Sequence, residues 1–415
     1  MQTDRNVIVI GAGIIGVSCA IALQKRGYHV AFVERESVGV GASSGNAGAF
    51  AFSDIMPLAA PGIMRKAPKW LLDPLGPLSI PSRYALKIAP WMLRFWRASW
   101  RDKVDASIGA QTALMDFSRK CLRKQIDAVH AGDMLRHEGQ LQLYESAAEF
   151  KANLPGWDVR ARHGIPFHHL QSSDEIADIQ PGLSQQFSAA TFTPEWCNIS
   201  DPAIYLKRLL NAFNKAGGEI QYANITGLKQ TDTRVLLTTS TGASIDASQV
   251  VVATGAWSRT LACTAGDKIP LETERGYNTT LPAGAVDLRT HLTFGGHGFV
   301  VSRIGDRIRV GGAVELGGLD LPPNFKRAKV LLDKAKRFLP ALEDTGGHEW
   351  MGFRPSLPDS LPVIGQSPKN NRITYAFGHG HLGLTQSSGT AELVADLVSH
   401  KTPAIDITAF RPNRF

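Results

Sequence analysis

The chain has 415 residues, 43% hydrophobic and 20% charged, with 45 Lys and Arg against 37 Asp and Glu and a formal charge of +8. That balance excludes a disordered or collagen-like chain, and the length suits two or three domains. The four cysteines, Cys19, Cys121, Cys197 and Cys263, lie far apart with no CxxC or Cys/His spacing, which argues against a disulfide scaffold or a structural zinc and favours a reducing compartment.

The first apolar run, Asn6 to Ile10, predicts a buried strand of a parallel sheet. It is too short for the apolar core of a secretory signal. No stretch of about 20 apolar residues follows, so no spanning helix is expected, and a cytoplasmic location is. Gly11-Ala12-Gly13-Ile14-Ile15-Gly16 comes next, then an apolar helical pattern through Cys19 and Leu23, then a short strand from His29 to Val33 closed by Glu34. Strand, glycine turn, helix, strand and acid in this order predict a dinucleotide site. Gly11 permits the tight turn, Gly13 lets backbone approach a pyrophosphate, and Gly16 lets the helix pack on the strand. The helix N-terminus around Ile14 and Ile15 offers N–H groups to phosphate. Glu34 suits two ribose hydroxyls and would repel a 2′-phosphate. NAD and FAD share this fingerprint. The following run from Val40 to Gly48 is small and polar, with Ser43, Ser44 and Asn46, and suits a backbone laid against a flat ring.

Between Gly62 and Lys103 stand nine bases and two acids, +7 of the total charge in about a tenth of the chain. Trp70, Trp91, Trp96 and Trp100, half of all Trp, also fall here. At about 100° per residue, Arg83, Lys87, Arg94, Arg97 and Arg101 share one narrow arc. Leu86, Leu93, Trp96 and Trp100 lie to one side of it, and Tyr84, Ile88, Trp91 and Phe95 to the other. Pro90 kinks or starts this helix. A basic stripe flanked by aromatics fits a helix lying in a membrane interface, and nucleic acid fits less well. The competing reading is a surface helix whose apolar sides pack on the protein.

His163, His168 and His169 have no acidic or Cys spacing to support a metal site, and none is predicted. Asp201-Pro202 opens a helix from Ala203 to Ala216, with Asp as N-cap and Pro in the first turn. Gln249 to Ala253 is another buried strand, running into Gly255. Phe299–Ser302 and Arg307–Gly311 predict a hairpin around Gly305-Asp306, and Lys326 to Leu339 an amphipathic helix. A strand from Ile373 to Phe377 precedes Gly378-His379-Gly380-His381-Leu382-Gly383-Leu384-Thr385, which opens a helix ending near His400.

These motifs, together with Gly352-Phe353-Arg354-Pro355, resemble the D-amino-acid oxidase superfamily of flavoproteins. The whole length looks most like its bacterial D-amino-acid dehydrogenase branch, of the small subunit type. The resemblance implies an α/β fold: a Rossmann-like FAD-binding domain interleaved with an α+β substrate domain on an antiparallel sheet. The expected division is 1–60, 195–268 and 346–415 for FAD, and 61–194 and 269–345 for substrate. It also implies oxidation at a carbon bearing an amine, with hydride transfer to the flavin.

On that resemblance, Gly11, Gly13, Ile14, Ile15, Gly16 and Glu34 hold the ADP half of FAD. Arg35, Ser43 and Ser44 lie near ribose and pyrophosphate, and Asn46, Ala47 and Gly48 border the isoalloxazine. Ile225 meets the adenine, and Gly255 lies under the phosphates. His379, Gly380, Gly383, Leu384 and Thr385 bring a helix N-terminus to the pyrimidine edge. With no Cys after Cys263, the flavin is expected to be non-covalent. Arg354 is expected to anchor the substrate carboxylate through a guanidinium fork. Tyr277 and Arg275 are expected at the carboxylate or a lid, and His381 facing the substrate. The basic segment would dock the enzyme on an anionic membrane, so that electrons pass to a quinone or another acceptor. The alternatives are a secondary or cyclic amino acid as substrate (D-hydroxyproline, D-proline, sarcosine or glycine), a non-catalytic flavin-binding subunit of an amine dehydrogenase, or an NAD(P)-binding protein.

Overall fold

A computed structural model describes residues 5–39, 41–63 and 76–415. Arg65, Lys66, Lys69, Trp70 and Asp73 of the basic segment lie outside the described residues.

Two sheets organise the chain. The first has six strands in the order Glu219–Tyr222, His29–Glu34, Asn6–Ile10, Gln249–Val252, Ile373–Phe377 and Val363–Gln366. All neighbours are parallel except the last pair. Its inner strands, Asn6–Ile10 and Gln249–Val252 above all, read as apolar runs because both faces are covered, whereas the edge strand Glu219–Tyr222 is largely exposed. Val7, Val9, Phe32 and Val251 point to a helical layer containing Ile14–Lys25, Arg101–Ala128, Pro202–Lys215 and Gly383–Val398. Ile10, Val33, Val250 and Val252 point to a three-stranded antiparallel sheet spanning 225–247.

The local signals act as expected. The Asp201 carboxylate accepts from the N–H groups of Ala203 (2.8 Å) and Ile204 (3.2 Å), capping the Pro202–Lys215 helix. Gly11 holds φ +97°, open to glycine at little cost, and a Cβ there would stand 2.6 Å from the Ala253 carbonyl oxygen. A Cβ on Gly16 would overlap the Gly11 carbonyl, so only glycine lets this helix sit so close to the turn.

The second sheet is mostly antiparallel, in the order His348–Ser356, Glu272–Ala283, Arg307–Glu315, Phe299–Ile304, His291–Phe294, Gln140–Tyr144, Ala189–Thr193 and His168–Leu170. Leu331, Ala335 and Phe338 of the helix Lys326–Phe338 bury against one face. The other face turns toward the first sheet. Two boundaries differ from expectation. Strand His348–Ser356, expected in the FAD-binding part, pairs along Glu272–Ala283 in the second sheet. Helix Arg101–Ala128, placed with the substrate layer, buries Ile108, Leu114, Met115 and Leu122 in the core of the first.

The helix Ala85–Ala98 runs through Pro90 without ending there. Its Tyr84, Ile88 and Trp91 side is buried against Leu316. The opposite apolar side is open: Leu86 is 91% exposed, Leu93 64% and Trp96 46%, and Trp100, just past the helix at the start of Arg101–Ala128, is 49% exposed. Of the two sides that the sequence left equivalent, one packs and the other meets solvent.

Candidate active site

A cavity of about 820 Å³ runs between the two layers, within the size range of cofactor pockets. One end is bordered by Glu34, Asn224 and Ile225, the middle by Gly13, Ser43 and Gly255, and the far part by Asn46, Arg354 and His381.

At the first end, the Glu34 carboxylate is fixed by backbone. It accepts from Ala12 N–H at 2.7 Å and from Arg35 N–H at 2.8 Å. Arg35 stacks its guanidinium 3.7 Å above the Trp257 ring. Ile14 N–H donates to Ser43 Oγ at 3.0 Å, which closes the 41–48 loop over the helix start. Neither the Ile14–Lys25 helix nor the Gly383–Val398 helix has a side-chain cap or an acid in its first turn. Both starts border the cavity. Two helix N-termini, neither capped by its own N-cap side chain, border one cavity and offer N–H donors to anionic groups at two points along it.

The far wall is the open face of the second sheet. Side chains alternate along a strand, and the wall takes chiefly one alternate set from each: Trp350, Gly352 and Arg354; Glu274, Gly276 and Asn278; Arg309, Gly311 and Ala313. Arg354 lies flat on this wall, donating to the Ala313 carbonyl at 2.8 Å. A Cβ on Gly276 would overlap its guanidinium. Burial lowers the pKa of Arg354, and Glu274 acts in the opposite sense.

The same alternation corrects two expectations. Arg275 is fully buried behind the wall, donating to the carbonyls of Gly318 (2.7 Å), Pro322 (3.1 Å) and Leu321 (2.5 Å), with Glu315 at 3.8 Å. It does not reach the cavity. Tyr277 borders the cavity, yet its hydroxyl is turned to the far side, where it donates to Glu315 and accepts from Asn324 N–H. Burial first, then Glu315, pushes its pKa up to about 12, so it stays a neutral strut. A shift of one residue along a strand exchanges the faces: Glu274 and Asn278 are the ones that face in.

Other expected residues sort by position. Gly11, Gly13, Ile14, Ile15, Glu34, Arg35, Ser43, Asn46, Ala47, Ile225 and Gly255 border the cavity, as do His379, Gly380, His381, Gly383 and Leu384. Gly16, Ser44, Gly48 and Thr385 stand behind its lining and support it. Thr385 Oγ1 accepts from Ala51 N–H and donates to the Ala49 carbonyl, tying the helix to strand Ala49–Phe50. His379 is buried, bonded to Thr390 Oγ1 at 2.9 Å, and held neutral by burial with a pKa of about 3. His381 Nε2 lies 2.9 Å from Asp54 Oδ2.

Three cavity residues carry no mark in the sequence. Arg309 donates to the carbonyls of Asn46 (2.5 Å) and Ser44 (3.2 Å) and to Thr280 Oγ1 (3.0 Å), clamping the small polar loop onto the second sheet. Burial pulls its pKa down to about 10. His291 is buried, its Nδ1 without a partner among the described residues, and burial holds it neutral at about 4. Asp54 follows strand Ala49–Phe50 in an irregular stretch with no recognisable motif. The Glu274 and Asn278 face was readable in principle from the period of two, once Arg354 fixed which side is inward.

The family model described as FAD dependent oxidoreductase (DAO) matches residues 6–397. The chain belongs to this family. Among curated relatives it is 34% identical to a D-amino-acid oxidase of Bradyrhizobium diazoefficiens over the full length of both chains. It is 32% identical to a D-amino acid dehydrogenase of Paramagnetospirillum magneticum, covering 99% of each. Among solved structures, glycine oxidase from Geobacillus kaustophilus shares the fold with a TM-score of 0.78 at 23% identity, over 99% of this chain and 98% of that one. The L-proline dehydrogenase of P. horikoshii does so with a TM-score of 0.75 at 21% identity, over 100% and 98%. The protein is an FAD-dependent oxidoreductase of amino acids. The cavity's lining is compatible with that cofactor: Glu34 could meet a ribose, the Gly13 turn and the first helix start a pyrophosphate, and the second helix start the flavin's pyrimidine edge.

Proposed function

We propose that this enzyme oxidises D-amino acids to imino acids, which hydrolyse to 2-oxo acids and ammonia. Arg354 carries the reading: a guanidinium lying on the cavity wall, beside the start of the Gly383–Val398 helix, is a fork for a carboxylate. The D-preference rests on the two curated relatives. FAD supplies the electron sink, taking two electrons and the Cα hydrogen as hydride. The protein's part is to orient: Arg354 holds the carboxylate, and Glu274 and Asn278 face the same space. No cysteine borders the cavity among the described residues, in keeping with a non-covalent flavin.

The test is anaerobic bleaching of the flavin absorbance by a panel of D- and L-amino acids and cyclic imino acids. D-isomers are expected to bleach it, and acid precipitation to release the flavin. Bleaching by L-isomers alone, or by cyclic substrates alone, overturns the substrate reading. No bleaching by any member would make the chain a non-catalytic subunit.

The open side of the Ala85–Ala98 helix supports a further part of the reading: docking on an anionic membrane surface and delivery of electrons to a quinone. Leu86, Leu93, Trp96 and Trp100 form an exposed apolar strip, with Lys87, Arg94 and Arg97 exposed on the same helix. Each base near an anionic bilayer contributes about 1 kcal/mol. Among the described residues no helix is long and apolar enough to cross a membrane. Co-sedimentation with phosphatidylglycerol vesicles is expected at low salt, with release at high salt and loss in a Leu93→Glu/Trp96→Glu variant. Equal recovery in the supernatant at both salts would exclude docking.

A further inference from the structure

An amino acid arrives in neutral water as an ammonium, and an ammonium nitrogen has no lone pair with which to expel a hydride from Cα. One proton must leave first. Among the described residues, the cavity end that holds Arg354 also holds an acceptor. His381 lines this cavity with 39% of its side chain open, and its Nε2 is 2.9 Å from Asp54 Oδ2. A carboxylate can only accept, so the Nε2 hydrogen points to Asp54, and the neutral ring keeps its lone pair on Nδ1. Nδ1 has no hydrogen-bond partner among the described residues.

We propose that His381 takes the proton from the substrate ammonium, with Asp54 orienting the ring and stabilising the imidazolium. This rests on the amino-acid reading of the cavity. The step is a proton transfer alone: an N–H bond of the ammonium breaks, an N–H bond forms at His381 Nδ1, and no electron changes owner. The freed amine keeps the electron pair, and the proton later leaves to solvent.

The charges around the ring suit this work. Asp54 faces it from the stretch after strand Ala49–Phe50, and Arg160 of the Ala147–Arg162 helix stands 3.9 Å behind Asp54. Glu274 and Arg354 face it from the second sheet, while His379 on its own segment is neutral and turned to Thr390. Burial alone would lower the pKa of His381; the Asp54 bond and charge, with Glu274, outweigh burial and Arg354 and raise it above the usual imidazole value. Burial likewise pushes Asp54 up, but His381 and Arg160 bring it below the carboxylate range, so it remains an anion. A raised pKa makes the neutral ring a stronger base. It also means that activity is lost as pH falls through that pKa, where the imidazolium can accept nothing.

The experiment is anaerobic stopped-flow reduction of the FAD holoenzyme by a D-amino acid across roughly pH 5 to 10. In the wild type, the second-order rate constant of reduction is expected to rise through a pKa above that of free His and then level. His381→Gln should lose that limb, fall by about 10²-fold near neutrality, and keep rising until the substrate amine itself titrates. Asp54→Asn should move the limb to lower pH with a lower plateau. A carboxylate lacking an amine, read by its shift of the flavin spectrum, should bind His381→Gln within about twofold of wild type, which separates proton transfer from a packing role. An unchanged acidic limb in His381→Gln overturns the proposal, as does a matching loss of carboxylate binding. If no amino acid bleaches the wild-type flavin, the failure lies in the substrate reading instead.

Discussion

Arg354→Ala is expected to lower kcat/KM for the amino-acid substrate by about 10²- to 10³-fold, chiefly through KM. Truncating one partner of a buried, hydrogen-bonded charge pair costs about 2–5 kcal/mol, because the other charge is left desolvated and unanswered. On the proposed reading the orphaned charge would be the substrate carboxylate, with Glu274 on the same wall. Arg354→Lys keeps the charge but loses the planar fork and the bond to the Ala313 carbonyl, so a smaller loss of about tenfold is expected. The flavin spectrum should be unchanged in both, since the ADP-binding turn and the two helix starts are untouched. Steady-state kinetics with the bleaching assay check this. A kcat/KM for Arg354→Ala within about threefold of wild type would remove Arg354 from the carboxylate site.

Gly276→Ala is expected to cost about 10- to 100-fold in kcat/KM while the protein still folds and carries FAD. The guanidinium of Arg354 lies in the space a Cβ would fill, and Gly276 stands opposite Gly352 in the sheet register. Overpacking of this kind costs about 1–3 kcal/mol. It falls on the orientation of the fork, because the end of a flexible side chain yields before the sheet does. The readouts are KM for the amino acid, flavin content and Tm. A large drop in Tm with an unchanged KM would place the strain in the sheet instead. The two variants also interact: once Arg354 is Ala, Gly276→Ala should add little, since the clash is gone.

Arg275 and Tyr277 show where reading along the chain stops. They stand in Glu274-Arg275-Gly276-Tyr277, and residue type alone favours the Arg and the Tyr as substrate contacts. Which alternate set faces inward depends on hydrogen bonding to His348–Ser356 and Arg307–Glu315, strands far along the chain. The structure turns both residues to Glu315 and the 318–324 stretch, and presents Glu274 and Asn278 in their place. The Ala85–Ala98 helix poses the same difficulty: periodicity showed two apolar sides, and only contact with Leu316 distinguishes the buried one from the open one. Asp54 and Arg309 had no local pattern, and each acts on a partner from another part of the fold.

The turn at the Glu34 end of the cavity was legible because its requirements are local. A positive φ at Gly11, a missing side chain at Gly16 and an acid after the second strand are conditions on short stretches of backbone, so they leave a spaced pattern in the amino acids. The +8 charge was likewise traceable to one Trp-rich segment. The far part of the cavity obeys other rules. A pair such as His381 and Asp54 joins residues 327 positions apart, and the Arg309 clamp reaches across more than 260. Those partners meet through the stacking of two sheets, whose register is set by the summed burial of many side chains rather than by any residue in the site. Sequence could therefore point to a flavin nucleotide and to the turn expected to meet its phosphates. Packing of the layers chose which side chains line the far part of the cavity.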